Sequence, residues 1–242
     1  MDERATPVDG STEASTTDWH SGAPDAADGT TSSIYLPPFR IDVTVRSGVP
    51  HIASRIRVAA AVRAALEAAG APGPASIGVV LSADGELAAL NAVHMGASGA
   101  TDVLSFPFFP PEAYPPHERG LQLPRDPWVA AALKQAFALP PGLRAHLGDI
   151  IVSVERAIVQ AEDGRGGQTG DTRWTAVEEL LLLAVHGTFH VCGWDHDEPV
   201  EEAAMRAMER SVLAALSHQG DHDAARGRGG PDSAAIEEAG PA

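Results

Sequence analysis

The stretch "LLLLAVHGTFHVCGWDH", Leu180 to His196, runs six apolar residues straight into three histidines. Read as a helix, it puts His186 and His190 one turn apart on a single face, because side chains at i and i+4 are neighbours there. Gly193 then offers a stop, since a glycine just past the last helical residue can take the left-handed conformation that turns the chain back. His196 can thereby return to the point that His186 and His190 face. Three neutral imidazoles with a fourth position open to water or substrate form a known catalytic zinc arrangement. The spacing predicts one zinc ion held by His186, His190 and His196. Cys192 lies about 200° round the helix from His190 and reads as core, not as a ligand.

The H-x3-H-x5-H spacing is similar to the metzincin protease signature H-E-x-x-H-x-x-G-x-x-H, with one break. The glutamate that serves those proteases as general base is here Gly187, which has no side chain to move a proton. The string "HGTFHVCGWDH" instead resembles the H-G-x-L-H-L-x-G-[YW]-D-H signature of the bacterial YbeY-type family of metal-dependent endoribonucleases and rRNA maturation factors. Two further blocks resemble that family: "LNAVHMGASGATDVLSFP", Leu90 to Pro107, and "LGDIIVS", Leu147 to Ser153. The resemblance covers roughly residues 41–215. Met95 stands where many members place a cleft arginine, Ser98 replaces an aspartate and Ala100 a proline. No phosphate-pairing role carries over to those positions.

What the resemblance implies is a zincin-like α+β domain and a zinc-dependent endoribonuclease of single-strand type. Its partners would be RNA, ribosomal RNA and the small ribosomal subunit above all, in rRNA maturation and ribosome quality control in the cytoplasm. The expected reaction is hydrolysis of a phosphodiester by water or hydroxide that the metal activates, since zinc can lower the pKa of water from about 15.7 to about 7. Asp102 and Asp149, in the two other family-like blocks, are the candidate catalytic carboxylates, for proton handling or for orienting an imidazole. A turn or capping role fits both equally well. Asp195 and Asp197, flanking His196, are nearer candidates for holding an imidazole in its tautomer. Two other classes stay open: a metzincin-like zinc peptidase, disfavoured by Gly187, and a non-catalytic ribosome-associated module in which zinc only staples the helix. Structural zinc sites are usually closed by four protein ligands, and only three are found here.

Composition bounds the rest. The chain has 242 residues, a net charge of −16 and 44% hydrophobic residues, which suits one domain with appendages. Residues 1–33 hold 7 acidic and 1 basic residue, and residues 217–242 hold 5 and 2, so these tails carry −9 and residues 34–216 carry −7. Both tails are small, polar and poor in core formers, and are expected to be disordered. A charge of −7 is awkward for holding RNA, whose affinity rests on lysine and arginine. Local arginines are therefore needed, and Arg55, Arg57, Arg63, Arg144, Arg156 and Arg173 are candidates. One cysteine excludes an intrachain disulfide. No secretory signal or membrane-spanning run is legible, so a cytoplasmic location is expected.

Along the chain, "RIDVTV", "SIGVVLS", "TDVLSFP" and "LGDIIVS" read as four strands of a mixed sheet. About five helices alternate with them: "ASRIRVAAAVRAALEAAG", the segment after Ser82, "VERAIVQAEDG", the metal helix from about Asp171 to Cys192, and "EPVEEAAMRAMERSVLAAL". Residues 108–146 form an insertion relative to the resembled family, with helical character in "DPWVAAALKQAFAL".

Overall fold

The computed structural model describes residues 28–115, 117–118, 121–122, 143–163 and 174–227. Alternating apolar residues start the sheet: strand β2 (Phe39–Arg46) buries Phe39, Ile41 and Val43 on one face and turns Arg40, Asp42 and Thr44 outward. Strand β3 (Ala75–Ser82) lies parallel to β2, with Ile41 opposite Ile77 and Val43 opposite Val79. Helix α1 (Arg55–Ala68), capped by Ser54, makes the crossover between them and buries Val58, Val62 and Leu66. After β3 come helix α2 (Asp84–His94) and strand β4 (Val103–Pro107). A short 3-10 turn (Pro111–Ala113) and the two-residue strands β5 (His117–Glu118) and β6 (Leu121–Gln122) follow. Strand β7 (Ala145–Ser153) runs parallel to β3 and antiparallel to β4.

The α+β architecture with a mixed sheet is as expected, but the sheet has five strands, not four: β1 (Gly29–Leu36) at one edge, then β2, β3, β7 and β4 in that order. The added strand β1 pairs antiparallel with β2, Leu36 opposite Phe39. Its sequence "GTTSSIYL" is polar for five residues and gives no alternation to read. Only Ile34 and Leu36 pack on the core, while Thr31 meets Thr44 and Ser33 donates to Asp42 across the edge. The boundary expected at residue 33/34 therefore falls inside a strand. At the other end the last helix, α5 (Pro199–Gly227), runs past the expected boundary at residue 216.

Five helices are described, matching the expected number. Helix α3 (Val154–Glu162) starts on the Ser153 side chain, which accepts from Arg156 N–H at 3.1 Å. Helix α4 (Ala176–Val191) carries the first two histidines. Its start is a capping box: Thr175 Oγ1 accepts from Glu178 N–H, and Glu178 Oε2 accepts from Thr175 N–H at 2.7 Å. Leu180 to Val185 are all buried, because the helix packs on β4 and β7 on one side and on α1, α3 and α5 on others. Residues 171–173, where the metal helix was expected to begin, and the helical reading of "DPWVAAALKQAFAL" lie outside the described residues, as do residues 1–27 and 228–242.

Candidate metal centre and cleft

The end of α4 builds the site. Trp194 N–H donates to Phe189 C=O and Gly193 N–H to His190 C=O, both at 3.0 Å, with Gly193 at φ +81°. This is the glycine-terminated hydrogen-bond pair that closes a helix, and the rings of Phe189 and Trp194 meet 5.8 Å apart beside it. A Cβ on Gly193 would lie 2.8 Å from Pro111 Cα, so the turn also needs glycine to let the insertion pack against it. The reversal brings His196 back, with its ring 5.4 Å from that of His186 and 5.0 Å from that of His190.

The candidate ligand atoms of His186, His190 and His196 all lie within 4.8 Å of one another, so the three could hold a metal ion. Their outer nitrogens say in which form. His186 Nδ1 is 2.7 Å from Glu209 Oε1 and His190 Nδ1 is 2.9 Å from the Trp194 carbonyl, both acceptors. Each Nδ1 is therefore assigned the proton, which leaves lone pairs on the two Nε2 atoms. Those atoms face each other at 3.0 Å. Two lone pairs so placed repel unless a cation sits between them, and the donor set fits a metal. Burial first, then the neighbouring charges of His186 and His196, push the His190 pKa down to about 4, so this imidazole is neutral at ordinary pH as a ligand must be.

Beside the histidines opens a cleft of about 250 Å³, lined by His186, His196, Asp102, Met205 and Glu209, with Glu202 and Arg206 also on its wall. Of the two carboxylates nominated as catalytic, the structure brings only Asp102 here. Its Oδ1 accepts from Val103 N–H at 2.9 Å and its Oδ2 from Gln160 Nε2 at 2.9 Å, so it serves the local turn and still faces the cleft. Asp149 is elsewhere. Its neighbour Ile150 is buried under α4, where a Cβ on Gly187 would meet Ile150 Cγ2 at 2.6 Å. Successive strand residues point to opposite faces, so Asp149 stands on the far side of the sheet, 3.2 Å from His146 Nε2. Asp195 is exposed and accepts from His196 N–H at 2.7 Å, which caps the turn that returns His196. Asp197 is exposed and makes no hydrogen bond to a histidine among the described residues.

Sequence reading missed three residues. Glu209 holds His186 while only 3% exposed; its signal was a carboxylate on the buried stripe Met205, Glu209, Val212 of α5. Glu179, also 3% exposed, has a pKa pushed up to about 7 by burial and by the negative charge of Asp102. Arg206 lines the cleft, whereas five nominated arginines do not: Arg55 binds Thr30, Arg57 starts α1, Arg63 pairs with Glu67, Arg144 binds the Pro38 carbonyl, and Arg156 pairs with Asp84. The sixth, Arg173, lies outside the described residues. Cys192 is buried, and burial pushes its thiol pKa far up, as suits a core residue. Gly187 packs against Ile150, Val103 and Ser105, and its carbonyl accepts from Ser105 Oγ at 3.1 Å, so the glutamate of the protease signature has no space at this position.

Among curated proteins, "Endoribonuclease YbeY" of Roseiflexus sp. (strain RS-1) is 34% identical over 157 residues, 64% of this chain and 79% of the relative. The protein of the same name from Roseiflexus castenholzii (strain DSM 13941 / HLO8) is 31% identical over 177 residues, 73% of this chain and 92% of the relative. The solution structure of TM1509 from Thermotoga maritima matches with a TM-score of 0.41 at 18% identity, covering 78% of this chain and 95% of that one. The family model described as endoribonuclease YbeY matches residues 46–217, more than half of the sequence, and the chain belongs to that family.

Proposed function

We propose that this chain is a zinc-dependent endoribonuclease that hydrolyses single-stranded segments of ribosomal RNA during maturation and quality control of the small ribosomal subunit, in the cytoplasm. The observation that carries the reading is the convergence of His186, His190 and His196 beside an open cleft, two of them already fixed as Nδ1–H tautomers. When bound, a zinc ion supplies Lewis acidity and a lowered pKa for water, which makes a nucleophile available near neutral pH. The chain's own residues do the rest. Glu209 and the Trp194 carbonyl hold two imidazoles in the ligating orientation. Asp102, fixed by Gln160 and Val103, presents its carboxylate at the cleft wall, where it can take up the proton that leaves the attacking water. Glu179, buried beside it and mostly protonated below its pKa of about 7, adds little opposing charge there.

A peptidase reading has no support, since the signature's glutamate is Gly187 here and even a Cβ at this position would crowd Ile150 and Val103. No helix among the described residues is long and apolar enough to cross a membrane. The test is incubation of purified, zinc-loaded protein with structured ribosomal RNA and with unstructured RNA, with and without chelator. Cleavage that chelation abolishes and zinc restores is expected, with a preference for single-stranded segments. Zinc-loaded protein that leaves both RNAs intact would contradict the proposal.

A further inference from the structure

A phosphodiester entering this cleft meets three carboxylates, Asp102, Glu202 and Glu209, and one guanidinium, Arg206, among the described residues that line it. Among the described residues on this wall, Arg206 is the group whose charge can counter the repulsion of the substrate's phosphates. Arg206 projects from α5 one turn before Glu209, and its side chain is 34% exposed. Its Nη2 donates to Glu202 Oε1 at 2.5 Å, while its Nε is buried with no hydrogen-bond partner. Nε and Nη2 are two prongs of one fork, shaped for two oxygens of a single anion. Elsewhere in this molecule Arg46 uses the same two atoms to grip both oxygens of Glu86, at 2.9 and 2.7 Å. On Arg206 one prong is held by Glu202 and the other has no partner. A buried N–H without a partner is costly unless an acceptor arrives.

We infer that Arg206 is a substrate-binding residue whose guanidinium turns its unpartnered prong to a non-bridging phosphate oxygen of the RNA, with Glu202 as the internal anion that competes for the fork. The inference rests on the proposed RNA substrate. It assigns the phosphate grip to the last helix, α5. Glu202 holds the guanidinium in place when no RNA is bound, at the expense of affinity. Arginine fits this better than lysine, since a point charge cannot hold one carboxylate and one phosphate through a planar fork.

The test uses full-length, zinc-loaded protein and a phosphorothioate-substituted single-stranded RNA oligonucleotide, which slows turnover. Equilibrium binding is measured across salt concentration, with KM and kcat measured on the unmodified oligonucleotide. Arg206→Ala should weaken binding about tenfold, acting on KM more than on kcat, and should lower the slope of log affinity against log salt by about 0.7, the share of one phosphate contact on a single strand. Arg206→Lys should keep the slope and lose part of the affinity. Glu202→Gln should tighten binding a few fold. Metal content and melting temperature, read in parallel, show whether each variant keeps its site. Wild-type affinity and slope in Arg206→Ala, or unchanged or weaker binding in Glu202→Gln, overturn the inference. If the wild type binds RNA through Arg206 yet cleaves none, the nuclease reading fails and the inference stands. If it cleaves RNA with no dependence on Arg206, the reverse holds. A wild type that neither binds nor cleaves RNA defeats both.

Discussion

The Glu209 carboxylate sits 2.7 Å from His186 Nδ1, 23 residues along the chain, with only 3% of Glu209 exposed. A buried anion on the outer nitrogen of a metal-binding imidazole fixes the ring and raises its basicity, and loss of such a partner typically costs 10–100-fold in metal affinity. Glu209→Ala is therefore expected to weaken zinc binding by roughly 10–100-fold. Competition with a chelating dye measures it. Wild-type affinity in this variant would show that the contact does not tune the metal centre.

Gly187 marks how closely α4 lies on the sheet. Its absent Cβ would sit 2.6 Å from Ile150 Cγ2 and 2.9 Å from Val103 Cγ2, and both partners belong to packed strands. Overpacking of this kind costs about 1–3 kcal/mol. Gly187→Ala should lower the unfolding free energy by that amount, and Gly187→Glu should fail to fold stably instead of creating a peptidase. Chemical denaturation checks the first and a peptide-hydrolysis assay the second. A stable Gly187→Glu protein that hydrolyses peptides would return the chain to the protease class.

Glu179 gives the fold a pH dependence of known sign. Its pKa is raised from 4.5 to about 7 in the folded protein, so the folded state holds this proton more tightly than the unfolded chain does. The resulting stability is fully present below about pH 4.5 and is lost as pH rises through 7. Glu179→Gln cannot ionise, and should be more stable than the wild type by roughly 2–3 kcal/mol at about pH 8.5, with little or no advantage at pH 4.5. Urea denaturation across this range tests it. Parallel stability curves for the two proteins would show that Glu179 ionises as freely in the fold as in the open chain.

The cluster of three histidines was legible in the sequence because everything that brings it together is local. His186 and His190 are one turn apart, Gly193 ends the helix, and His196 follows within three residues, so helical period and turn chemistry suffice. What was not legible depends on long-range pairing. Asp102 and Asp149 occupy equivalent places in family-like blocks, yet only one reaches the cleft. The strand "LGDIIVS" is a buried central strand whose nearly continuous apolar run shows no alternation to tell one face from the other. A register irregularity between Ser76 and Gly78, opposite β7, further unsettles any count. Glu209 and Arg206 sit on a helix whose distance from α4 no spacing rule gives. Strand β1 was missed because an edge strand needs few core contacts, and its first five residues are held by hydroxyl and backbone hydrogen bonds to β2.

The central claim is that His186, His190 and His196 together hold the one metal on which RNA cleavage depends. The direct measurement is a titration of zinc into metal-free protein, with bound metal and RNA cleavage followed in the same samples, for the wild type and for His186→Ala, His190→Ala and His196→Ala. The account predicts that wild-type cleavage rises with occupancy and saturates at about one zinc per chain, and that each variant binds zinc far more weakly and leaves the RNA intact, because two imidazoles expose the ion to competing ligands. Cleavage at the wild-type rate by metal-free protein, or wild-type zinc stoichiometry in any one of the three variants, would contradict it.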